Sequence, residues 1–161
     1  MPFTPFHMGP GLLFKALLQG SFSLMVFGWA QIVMDIQPLL VMLSGQGHLH
    51  GFSHTYLGAT LLAVFSALSG KYLGELGLRL IGRARFVPIG GWVALLSAFI
   101  GTFSHVLLDS VMHADVQPFW PLSLANGLLG SLSLEWLHAL CLGSGAFGAV
   151  LCLGLAGWSR R

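Results

Sequence analysis

The run Trp92–Met112 contains no lysine or arginine, and its only ionisable side chains are His105 and Asp109. A helix needs about 20 consecutive apolar residues to cross the ~30 Å hydrocarbon core of a bilayer. Inside that core every backbone N–H and C=O must be paired, which leaves an apolar run of this length the helix as its structure. Ionisable residues recur in the chain's other apolar runs. His54 opens one, Asp35 closes another, and Glu135 with His138 interrupts a third. A charged group at membrane depth costs about 2.5–3.5 kcal/mol or more unless it is paired or bound to a cation. His, Asp and Glu are also the side chains that ligate divalent metals.

Composition places the whole chain in the membrane class. Hydrophobic residues make up 55% of the 161 positions and charged residues 7%, against about 25% charged in soluble domains. The mean hydropathy is +0.82. One integral-membrane domain over residues 1–161 is expected, with short loops. Lys71, Arg79, Arg83 and Arg85 cluster near one loop, and Arg160 and Arg161 end the sequence; the positive-inside rule puts both groups in the cytoplasm. The basic loop is thus an orientation signal, and no nucleic acid partner is expected. The start lacks a basic leader and is interrupted by Pro2, Pro5, Pro10 and His7, unlike a signal peptide. Cys141 and Cys152 share one predicted helix at a separation of roughly 16 Å, too far to bridge.

The expected fold class is all-α, a polytopic membrane bundle of about five helices. The first, Pro10–Gln19, is short and either spans or is re-entrant. The second runs from Ser21 toward Gln37, where Pro38 marks a kink or an end. The third covers Ser53–Leu78 with Ser53 as its N-cap, the fourth Pro88–His113, and the fifth Leu128–Trp158. The small-xxx-small pairs Ser97/Gly101 and Ser144/Gly148 are expected at helix contacts. With the basic loop inside, helices three and five run inward and helix four outward. If helix one also spans, His7, Asp35, the His48–His54 loop, the His105–His113 end of helix four and the Glu135/His138 end of helix five all face the external side.

His105, Asp109 and His113 are spaced at four residues and share one helical face. His105 and Asp109 can ligate one ion; the alternative is a His–Asp hydrogen bond that packs helices. His113 falls at the interface, where a histidine needs no special role. His48, His50 and His54 are dense for so apolar a chain. His54 reads as a ligand, and His48 and His50 as ligands, loop residues or phosphate contacts. Asp35 has no basic neighbour in sequence and needs a proton or a cation. Glu135 and His138 have the i, i+3 spacing of carboxylate dimetal bundles, but packing or a supporting hydrogen bond accounts for them equally well.

The order of these residues resembles the bacterial inner-membrane metal-dependent hydrolase family that includes LexA-regulated members. That family shows an early His, a Pro-Asp-x-Asp motif, a His-Arg-Gly-Phe-Thr-His-Ser motif, and Ser-His-x-x-x-Asp followed by a Pro-containing stretch. The counterparts here are His7, Asp35 in Met-Asp-Ile-Gln-Pro, His50-Gly-Phe-Ser-His-Thr, Ser104-His105 through Asp109, and Gln117-Pro-Phe-Trp-Pro121. Gln37 replaces the second Asp, His50 the Arg, and Leu49 the His before it, which counts against a full two-metal site and makes His48 or His50 a candidate stand-in ligand. The ligand order is more distantly similar to zinc-dependent phospholipase C and related nucleases.

Residues and resemblance together predict a multi-pass protein of the bacterial inner membrane with a metal site at its external end. The expected ligands are His7, Asp35, His54, His105 and Asp109. Zinc is the first choice of ion, with manganese or iron also suited. Glu135, His138 and His50 are the expected proton-handling residues. Hydrolysis of an ester or phosphoester at the bilayer, with a lipid-linked substrate, is the leading expectation. Its rivals are a cation or proton-coupled transporter, which at this length would require a homo-oligomer, and a scaffold pinned by a metal without catalysis.

Overall fold

In the computed structural model, residues 5–158 are described. Arg160 and Arg161, and with them the terminal half of the orientation signal, lie outside the described residues. The described secondary structure is entirely helical. After a 3-10 turn at Pro5–Met8 come α1 (Gly9–Leu18), α2 (Leu24–Ser44), α3 (Tyr56–Leu80), α4 (Gly91–Met112) and α5 (Leu134–Trp158). The last four contain stretches long and apolar enough to cross a membrane. With 10 residues, α1 reaches only ~15 Å, half the hydrocarbon thickness.

Local chemistry sets the boundaries. Ser23 caps α2 through its hydroxyl, which accepts from the Val26 N–H, and Gly45 closes the helix at φ 68°. Pro38 does not end α2, which continues to Ser44. Thr55 rather than Ser53 caps α3; its Oγ1 accepts from the Gly58 N–H at 2.9 Å. Ser53 lies instead in a 3-10 turn, Phe52–His54. Helix α4 opens at Gly91 rather than Pro88 because residues just before it are used otherwise: the Ile89 N–H donates to Glu75 Oε1 at 2.9 Å. Helix α5 starts later than Leu128. Gly130 takes φ 68°, which only glycine adopts freely, and the turn it makes holds residues 128–131 out of the helix.

Packing follows the membrane rule. On α3 the small residues Ala59, Ala63, Ala67, Gly70 and Gly74 are on the buried side, while Leu61, Phe65, Leu68, Tyr72 and Leu76 are exposed. Lipid offers helices no hydrophobic drive to associate, so close approach of small residues does the work. A Cβ at Gly101 would sit 2.9 Å from Ala30 Cβ, so α2 and α4 meet there because the side chain is missing. At Gly148 a Cβ would collide with the Leu12–Leu13 backbone, and at Gly9 with the Cys141 carbonyl. Thus α1 and α5 lie side by side in the same direction. The backbone N–H of Ser23, before α2, donates to Ser97 Oγ near the start of α4, so α2 and α4 are parallel to each other and antiparallel to α3. Both cysteines are free.

The bundle therefore has two chemically different ends. The basic loop between α3 and α4 marks one. At the other lie the starts of α1, α3 and α5 and the C-terminal halves of α2 and α4.

Candidate metal centre

Four elements bring histidine and aspartate together at that second end. The turn before α1 supplies His7, α2 supplies Asp35, the turn before α3 supplies His54, and α4 supplies His105 and Asp109. All five are buried, His54 and His105 completely. Asp109 is the hub. Its Oδ2 lies 3.1 Å from His54 Nε2 and 3.3 Å from His105 Nε2. Its Oδ1 lies 3.4 Å from His7 Nε2 and 3.8 Å from His113 Nε2. Asp35 Oδ1 lies 3.5 Å from His105 Nε2.

These nitrogens lie within ion-pair distance of the carboxylates, but the ring N–H directions miss hydrogen-bond geometry. Both ring nitrogens of His7, Nε2 of His54 and Nε2 of His105 are buried without a hydrogen-bond partner. Such an orphaned group normally costs about 1–3 kcal/mol, and several in one place call for a common cause. Charged N–H···O bonds close to about 2.7–2.9 Å. Donors held about 2.0–2.1 Å from a tetrahedral zinc stand ~3.3 Å from one another, which is the spacing seen here. The sets His7/His105/Asp109 and Asp35/His54/His105 each place their ligand atoms within 4.8 Å of one another. Donor types, burial and spacing all fit a divalent cation.

Supporting hydrogen bonds aim the imidazoles. The Gln31 amide donates from Nε2 to the Gly101 carbonyl at 3.1 Å, which turns Oε1 toward His105 Nδ1 at 2.7 Å. Nδ1 therefore carries the proton in a neutral ring, and Nε2 presents its lone pair to the carboxylates. The Ser53 hydroxyl sits 2.8 Å from His54 Nδ1 and holds that ring in place. Burial is the chief cause that pushes His7 down to about 4. Burial likewise lowers His54. Both are neutral, lone-pair-bearing imidazoles at neutral pH.

Of the remaining sequence candidates, His50 lies at the mouth of the cluster. Its Nδ1 is 2.9 Å from Asp115 Oδ1, and its ring stacks on His113 at 4.2 Å. His48 is exposed, and its carbonyl accepts from Gln37 Nε2 at 3.5 Å. Gln37 is not a cluster residue: its Oε1 accepts the Ser53 N–H at 2.9 Å and pins the turn carrying His54. Glu135 is exposed, and His138 stacks on Phe6 at 4.1 Å. Both stand on α5, beyond the turn that bears His7, and neither belongs to the ligand sets found among the described residues. Gln31 and Asp115 were not singled out in the sequence. Gln31 lies one helical turn before Asp35 and so shares its face, a signal that was available; Asp115 has no such signature.

A cavity of about 580 Å³ reaches the cluster from the side, lined among others by His7, Asp35, Gln31, Trp29, Gly28 and Ile32. Met8, Met25 and Ile32 on its walls are exposed on the flank of the bundle. A smaller recess of about 200 Å³ beside the mouth is lined by His48, His50, Asp115, Gln117, Thr55 and Trp120.

Four apolar helices around a buried His/Asp cluster define a multi-pass helical membrane protein. Residues 14–159 match the family of YdjM inner membrane proteins, so the chain belongs to that family and resides in the inner membrane. No curated protein and no solved structure matches the chain.

Proposed function

We propose that this protein is a metal-dependent hydrolase of the membrane, acting on an ester or phosphoester that carries a lipid tail. The observation behind the reading is the set of buried imidazole nitrogens, without hydrogen bonds, directed at Asp109. His7, Asp35, His54, His105 and Asp109 are the residues that would hold the cation, with zinc first and manganese or iron as alternatives. Bound there, such an ion lowers the pKa of water toward neutrality and polarises an ester or phosphoryl oxygen. Gln31 holds the His105 ring in one tautomer, and Ser53 holds the His54 ring in orientation. With one ion bound, the His50 imidazole, anchored on Asp115 at the mouth of the cluster, would handle protons. The lateral cavity accepts the apolar part of the substrate and keeps water away from it. By the charge of the Arg79–Arg85 loop, the cluster faces the external side.

Transport would need a polar route from the cluster to the basic loop. The buried residues on that side are chiefly Val26, Ala30, Ala63, Ala67, Ala94 and Ala98; the polar ones are the hydroxyls of Ser66, Ser97 and Thr102 and, near the loop, Glu75, whose carboxylate accepts the Ile89 N–H. A purely structural ion would have no use for a cavity leading to its ligands.

The test uses detergent-purified, zinc-loaded protein with phosphatidic acid and phosphatidylcholine in mixed micelles, and with 4-nitrophenyl phosphate and acetate in solution. Turnover of a lipid substrate is expected, lost in Asp109→Asn. Gly28→Trp should fill the cavity, since a Cβ at Gly28 meets only the mobile end of Met8 at 3.2 Å. It should slow the lipid reaction and spare the soluble one. No hydrolysis of any of the four by metal-loaded protein overturns the reading.

A further inference from the structure

We propose that a second divalent cation binds at the mouth of the cluster, held by His50, His113 and Asp109, with Asp109 bridging the two positions. The inference rests on the metal site proposed above and adds to it a position that the sequence departures at Gln37 and His50 argued against.

The two oxygens of Asp109 face different partners. Oδ2 is turned to His54 and His105 in the interior, at 3.1 and 3.3 Å. Oδ1 is turned to His7 and His113, at 3.4 and 3.8 Å. A carboxylate placed between two groups of imidazoles in this way is suited to bridge two cations about 3.5–4 Å apart. His50, Asp109 and His113 place their ligand atoms within 4.8 Å of one another. His50 and His113 stack at 4.2 Å with their planes 23° apart, which sets the two rings side by side at the opening.

The support behind His50 is the second observation. Asp115 grips it twice, through Oδ1 at 2.9 Å from the ring Nδ1 and through Oδ2 at 3.3 Å from the backbone N–H. A carboxylate on one imidazole nitrogen is the usual device for presenting the other to a metal. Here it leaves Nε2 as the ligating atom. The outer position has three protein donors, one fewer than a closed tetrahedral shell, and one of them, His50, also lines the polar recess of about 200 Å³. Its remaining positions are therefore open to water or to a phosphoryl oxygen, as in a catalytic rather than a structural site.

Metal-stripped protein in detergent micelles is titrated with zinc by calorimetry and with cobalt by visible spectroscopy. Two equivalents are expected, the inner one tighter. His113→Ala should remove the weaker equivalent and leave the tighter one unchanged; His113→Asn serves if the alanine variant does not fold. Asp115→Ala should weaken only the outer equivalent, by about 10–100-fold. Asp109→Asn should weaken both. A single equivalent, indifferent to His113 and Asp115, refutes the second cation and leaves the hydrolase reading standing. A second equivalent that survives His113→Ala, His113→Asn and Asp115→Ala refutes the assignment of its ligands. No bound zinc at all overturns both readings.

Discussion

Replacing Gln31 by leucine tests whether His105 is a metal ligand without touching any proposed ligand. The side chain is 5% exposed and makes two hydrogen bonds, to His105 Nδ1 at 2.7 Å and to the Gly101 carbonyl at 3.1 Å. Gly101 keeps a partner, because Ser104 Oγ also donates to its carbonyl at 3.0 Å. The His105 N–H does not, and leaving a buried donor unsatisfied costs about 1–3 kcal/mol. The ring is then free to turn or to move its proton to Nε2, and either change removes the lone pair from the cluster. Zinc affinity should fall about 10–100-fold, the range for loss of a supporting partner. Gln31→Glu still offers an acceptor to Nδ1–H and should retain most of the affinity. The assay is competition for zinc against a coloured chelator, with thermal melting of metal-free samples as the control. If Gln31→Leu loses stability but binds zinc as tightly as wild type, His105 Nε2 is not a ligand and the tautomer reasoning fails.

Other consequences are independent of that site or of each other. Glu75→Ala strips the buried Ile89 N–H of its acceptor and should destabilise the bundle by about 1–3 kcal/mol; thermal melting should show this with metal content unchanged, since position 75 is at the opposite end. Metal-free protein should lose stability on acidification. The folded His7 sits at about 4 against 6.5 in the unfolded chain, so its contribution is present above pH 6.5 and is lost as pH falls through 4, about 3 kcal/mol in all. His7→Gln should flatten that slope in melts run from pH 7 to 4. With Cys141 and Cys152 replaced by alanine, Gln46→Cys in the exposed loop after α2 should react with an impermeant maleimide on intact cells, and Arg83→Cys only after lysis; the reverse pattern would invert the topology.

Much of the architecture was readable because hydrocarbon permits so few structures. Apolar runs broken by Gly, Pro and charge marked the four long helices, and the weak first segment appears as the 10-residue α1. Boundaries slipped where backbone geometry decided them. Gly130 at φ 68° delays α5, and Thr55 displaces Ser53 as a cap because Ser53 is used against His54. The convergence of Asp35, His54, His105 and Asp109 followed from helix direction and the charge rule; His7 was tied to them only through a spanning first helix, whereas α1 reaches half the hydrocarbon thickness and His7 joins the cluster from the turn before it. Glu135 and His138 have ligand-like spacing, yet α5 packs on α1, and spacing within one helix does not reveal which neighbour it will face. Gln31 went unremarked because a neutral amide in an apolar run reads as filler. Asp115 could be placed only by the loop conformation that brings it to His50.

The most direct measurement is the metal content of detergent-purified wild type, His105→Ala and Asp109→Ala by elemental analysis after reloading with zinc. Wild type should retain zinc through desalting, and each variant should lose it while keeping its helical circular dichroism. Equal zinc in all three, or none in the wild type, would contradict a cation held between α2, α4 and the turns that precede α1 and α3.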